Sequence, residues 1–152
     1  WERGEDGGTL SFVGSGTTYS ANELATAASS GSALRYVRNI SIVGYAVPEP
    51  TGTFEGGILD IAVGLADSEV DFENRANFPE AVGMIRKQIP VIGVGSSFHI
   101  WSPRGFNLSA RTTSGVPGHL YIGFKLFQTS GLADVYNVGW RGTYRTLELQ
   151  TT

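Results

Sequence analysis

The 152-residue chain has no cysteine, so neither a disulfide framework nor a thiolate metal site is available to it. Charge is also scarce. Asp, Glu, Lys and Arg make up 16% of the residues, against roughly 25% in an average soluble domain. The formal net charge of -3 rules out a global positive field that would draw in nucleic acid or an anionic membrane. No apolar run approaches the ~20 residues that a membrane helix needs. Good helix formers are few, whereas glycine occurs 21 times and aromatic residues make up 11% of the chain. That composition points to an all-β chain with many turns.

The clearest periodicity runs from His119 to Gln128. Leu120, Ile122, Phe124 and Leu126 fall on one side, and Tyr121, Gly123, Lys125 and Phe127 on the other, as in a long strand with one face in a core. Leu34 to Val47 reads as a second long strand, with Tyr36, Ile40 and Ile42 on one face and Val37, Val43 and Tyr45 on the other. Apolar residues on both faces predict cover on both sides, from a sheet on one and a helix or neighbouring subunit on the other. Ile58 to Leu65 alternates with Leu59, Ile61, Val63 and Leu65 inward. Shorter strands are expected at Thr9 to Val13, Ser97 to Trp101 and Phe106 to Thr112. Ile85 to Val94 is weaker and sits at an edge because of Pro90. Val138 to Leu149 is the last strand.

Two segments read differently. Ser20 and Glu23 have the spacing of a capping box, and Ala21 to Ala28 favours helix up to a stop at Gly31. Ala66 to Asn77 reads as a polar acidic loop, followed by a helical turn from Phe78 to Met84. The sum is an all-β fold over residues 1–152 as one domain: an eight-stranded jelly-roll β-sandwich with one or two short inserted helices. An up-and-down barrel would need shorter connections than Gly14 to Ala33 or Ala66 to Ile85.

Catalytic motifs are sparse. His99 and His119 lack zinc-site spacing, no Gly-x-Ser-x-Gly elbow occurs, and Gly93 to Ser97 lacks the lysine of a phosphate loop. The reading is non-enzymatic. Asp67, Glu69, Asp71 and Glu73 would project to one side of an extended segment, where converging oxygens suit calcium; a solvated acidic loop is the plain alternative. The basic residues are nearly all arginine. Arg35 and Arg38 flank Tyr36, and Arg141 and Arg145 alternate with Trp140 and Tyr144. Arginine forks beside aromatic faces serve phosphates and unstacked bases, and equally serve subunit interfaces.

The strand Arg35-Tyr36-Val37-Arg38-Asn39-Ile40-Ser41-Ile42, the strand His119 to Gln128 and the segment Gly139-Trp140-Arg141-Gly142-Thr143-Tyr144-Arg145 together resemble the coat proteins of small icosahedral viruses. The length is similar to that of satellite RNA virus coat proteins. The resemblance implies a single jelly roll that self-assembles from many identical copies into a T=1 shell around viral RNA. It also implies a basic arm preceding Trp1, and calcium at subunit contacts, for which the stretch Asp67 to Glu73 is the candidate. The competing reading is a secreted carbohydrate-binding sandwich with Trp101, Trp140 and Tyr144 as sugar-stacking platforms.

Overall fold

The computed structural model describes residues 2–13, 20–26, 33–48, 57–76, 83–91, 95–109, 118–128 and 135–150. They form strands β1 (Glu2–Val13), β2 (Ser20–Thr26), β3 (Ala33–Pro48) and β4 (Gly57–Ala66), then helix α1 (Glu69–Ala76). Strands β5 (Ile85–Val91), β6 (Ser96–Ser102), β7 (Phe106–Ser109), β8 (His119–Gln128) and β9 (Val135–Gln150) follow. One sheet, here sheet A, has the order β1-β9-β3-β6, with β7 also on β3. The other, sheet B, has the order β2-β8-β4-β5. All pairings are antiparallel.

β6 pairs with Ile40 to Ala46 of β3, and β7 with Leu34 to Val37. The two are one strand position, interrupted at Pro103 to Gly105. Counted so, eight strands form two four-stranded sheets, the chain changing sheet at every connection except β4 to β5, and the last strand lies between the first and the third. That order is a jelly roll, the expected architecture.

The inward faces follow period-two alternation. Leu59, Ile61 and Val63 on β4 and Leu120, Ile122, Phe124 and Leu126 on β8 are fully buried. They share one core with Ile40 and Ile42 of β3, Phe98 and Ile100 of β6, and Val138 and Trp140 of β9. Each such side chain contributes about 1.5–3 kcal/mol on burial. β5 lies at the edge of sheet B, with Pro90 opposite Ile58, as expected for a strand that lacks one donor.

β3 departs from strict alternation. Its register with β9 runs from Arg38 opposite Arg145 to Ser41 opposite Thr143, so β3 carries one extra residue there. Asn39 takes φ 54°, a left-handed conformation that asparagine tolerates better than most residues. The bulge shifts the faces: Val37, not Tyr36, lies on the buried side with Ile40 and Ile42.

The helix expected from Ala21 to Ala28 is instead strand β2 as far as Thr26; residues 27–30 lie outside the described set. A cap contributes only about 1 kcal/mol. Pairing along β8 and the burial of Leu24 in the core outweigh it, with a bulge between Glu23 and Ala25. The expected acidic loop contains a helix, α1. Ser68 caps it: its Oγ accepts from Asp71 N at 3.1 Å and its carbonyl from Phe72 N at 3.0 Å. Phe72 and Ala76, four residues apart, pack with Ala62, Ala66, Tyr121 and Ala21 on the outer side of sheet B. Arg86 fastens the far end, donating from Nη2 to the Ala76 carbonyl at 2.7 Å while Nη1 lies 3.8 Å from the buried Asp60 carboxylate. Of the turn expected from Phe78 to Met84, residues 78–82 lie outside the described set.

Gly123 lets Phe72 approach sheet B, since a Cβ there would lie 2.4 Å from Phe72 Cε1. Gly123→Ala is therefore expected to lower stability by about 1–3 kcal/mol, read from the denaturation midpoint. An unchanged midpoint would contradict this docking of α1.

Candidate functional site

Alternation that buries one face of sheet A sends the other to solvent, and the register defines it row by row. Arg3 of β1, Arg145 of β9 and Arg38 of β3 lie side by side. The next row is Glu5, Thr143, Ser41 and Trp101, followed by Gly7, Arg141, Val43 and His99, and then by Thr9, Gly139, Tyr45 and Ser97. Val47 lies farther along β3. Large apolar side chains stand open here: Val43 and Tyr45 are each 49% exposed and Trp101 61%. Glu5 is the only carboxylate in these rows. It pairs with Arg141, and one oxygen lies 3.8 Å from Arg3 Nη2.

Three of the four sequence-nominated arginines, Arg38, Arg141 and Arg145, thus share this face and are exposed. Arg35 does not join them. It lies opposite Leu108, a buried residue, on the inner side of β3 near Tyr144. Arg3 takes its place. Only the β1–β9 register reveals Arg3, because the sequence from Trp1 to Gly8 carries no alternation of its own.

The proposed sugar platforms do not converge. Trp140 is 5% exposed and points into the core, and Tyr144 packs against it; only Trp101 is on the surface. Burial, with Asp6 and Glu23 nearby and Arg35 opposing, raises the Tyr144 pKa. The histidines lie on different sheets. His99 Nε2 and Ser41 Oγ share a 3.0 Å hydrogen bond on sheet A, while His119 Nδ1 lies 3.3 Å from Glu23 Oε1 across β8 and β2.

The acidic quartet is not extended. Asp67 precedes α1, and its N–H donates to Asp71 Oδ2 at 3.3 Å. Glu69 and Asp71 occupy the first turn, where the helix dipole favours them. A helix turns ~100° per residue, so Asp71 points away from Glu69 and Glu73, and the four carboxylates do not converge. Among the described residues, no three His, Cys, Asp or Glu side chains form a group able to hold a metal ion. These carboxylates make the side carrying α1 acidic, opposite the arginine face. Exposed apolar groups occur there too: Val70 on α1, and the cross-strand pair Ile58 and Phe127 on sheet B, with Lys125 Nζ 4.9 Å from the Phe127 ring centre.

No protein-family model and no curated protein matches the chain. Solved structures with similar folds include a lipoprotein from Bacteroides thetaiotaomicron, at 12% identity and TM-score 0.49, covering 93% of this chain and 85% of that one. A chain of the Israel acute paralysis virus pentamer gives 9% identity, TM-score 0.41 and coverage of 95% and 90%. The BFDV capsid protein, in a 60-mer, gives 10%, 0.38, and 99% and 92%. The jelly-roll assignment rests on the strand order itself.

Partial burial, and then Glu69 one helical turn away, raise the Glu73 pKa. The folded state therefore holds this proton more tightly than the unfolded chain, and stability falls as pH rises from the ordinary carboxyl range through the raised value. Glu73→Gln is expected to flatten that part of a stability-against-pH curve. An unaltered slope would contradict the coupling.

Proposed function

We propose that the chain is the coat protein of a small icosahedral virus, a non-enzymatic subunit whose identical copies close into a shell around an RNA genome. The observation that carries this reading is the presence of exposed apolar side chains on both sides of the sandwich. Val43, Tyr45, Val47 and Trp101 lie on sheet A, Ile58 and Phe127 on sheet B, and Val70, 65% exposed, on α1. A single such patch suits a dimer. Patches on both sides of a jelly-roll subunit suit a protein that meets other molecules on both, as a shell subunit meets its neighbours and what the shell encloses. The low overall charge agrees, because charge is depleted in the centres of subunit interfaces.

Arg3, Arg38, Arg141 and Arg145 supply the chemistry for an enclosed polyanion. Arginine presents a fork that matches phosphate, and Arg38 lies opposite Arg145 in the register, which concentrates positive charge on this face. A T=1 shell of the satellite-virus kind is the assembly this size of subunit suits, with the virion as its location.

The test is a sizing column with negative-stain electron microscopy of the purified protein. The expected result is uniform round particles eluting near the void. Phe127→Asp is expected to shift mass to small species while thermal unfolding stays within a few degrees of the unsubstituted protein. A monodisperse monomer with no shells under any salt condition would contradict the reading.

A further inference from the structure

Resting on the coat-protein reading, we infer that the outer face of sheet A holds single-stranded nucleic acid with its bases turned to the protein, Trp101 and Tyr45 serving as stacking platforms. Phosphate pairing alone would need only the arginines. The same rows also present two aromatic rings, one 61% exposed on β6 and one 49% exposed on β3, the strand that runs beside the arginine-bearing β9. Exposed aromatics interleaved with cations are what sequence-tolerant single-strand binding uses.

Space for a flat ring is also present. Gly7 and Gly139 leave the face bare between Glu5, Thr9 and Arg141, in a shallow cavity of about 500 Å³. A Cβ built on Gly139 would meet nothing within 4 Å. Gly139 lies directly opposite Tyr45, so this open floor adjoins one of the two platforms. A base could lie there with its edge toward the Glu5 carboxylate and its phosphate toward Arg141.

A duplex fits this face poorly. Its base faces are stacked inside, and the A-form major groove is too deep and narrow for a broad sheet to enter. The other side of the molecule is less suited to nucleic acid, because Asp67, Glu69, Asp71 and Glu73 of the α1 segment lie there. In a closed shell, the arginine sheet is then the inner wall and α1 the outer.

The test measures binding of the whole chain to three probes: a single-stranded RNA 20-mer, the corresponding RNA duplex, and heparin as a polyanion without bases. The single strand is expected to bind most tightly. Trp101→Ala and Tyr45→Ala should each weaken it roughly 5- to 150-fold and leave heparin binding unchanged. Arg145→Gln should weaken all three and lower the salt slope by about 0.7 for the single strand. Equal losses for RNA and heparin in Trp101→Ala, or no loss, would overturn base stacking. Absence of binding to all three probes, with shells lost in Arg145→Glu, would assign the face to the acidic α1 of a second copy and overturn the inference. Shells without nucleic-acid affinity would overturn it too while sparing the coat-protein reading. Trp101-dependent RNA binding by a chain that never assembles would do the reverse.

Discussion

Leu59, Ile61 and Val63 of β4 and Leu120, Ile122 and Phe124 of β8 are held out of water by the facing sheet, where Ile42, Phe98 and Trp140 meet them. The Phe98 and Phe124 rings lie 6.0 Å apart across the interface. Because strands alternate, burying these side chains commits every intervening residue to one of two outer faces. Sheet B sends out Ala62, Ala66, Tyr121 and Gly123, small or flat enough for α1 to cover them, and Gly64, which Met84 covers. Sheet A sends out arginines and aromatic rings, and among the described residues no helix lies over them. The two sides of the wedge therefore differ in charge and in cover for the same reason that the core exists.

The bulge at Asn39 links this packing to the arginine face. In an unbroken strand, Arg38 would share a side with Ile40 and Ile42 and would have to enter the core. An unpaired buried charge there would cost several kcal/mol. One extra residue in a left-handed conformation lets Arg38 stand outside beside Arg145 while Ile40 stays inside. It also separates Arg35 from the other three. A local backbone irregularity thus decides which cations can act together.

Much of the fold was legible where alternation was strong and unbroken. β8 spans His119 to Gln128 as its pattern indicates, β4 buries Leu59, Ile61 and Val63, and Pro90 marks an edge strand. Legibility failed where long-range pairing overrode local preference. The capping spacing at Ser20 and Glu23 describes a helix start, yet β8 recruits the segment as a strand. In α1 the reverse holds: only Phe72 and Ala76 face the sheet, too few apolar positions to show a helical period among acidic neighbours. The arginine face was partly readable, since Arg141 and Arg145 differ by an even number. The contribution of Arg3 depends on which strand β1 joins, and that is a property of topology rather than of local sequence.

In the proposed shell the subunit is two-faced, arginine sheet inward and acidic helix outward. The absence of cysteine allows a direct measurement: single cysteines introduced at Val70 and at Val43, in separate preparations, exposed as intact particles to a thiol reagent too large to cross the shell. That orientation predicts rapid labelling at position 70 and protection at position 43 until the particles are taken apart. Labelling at 43 with protection at 70 would contradict it.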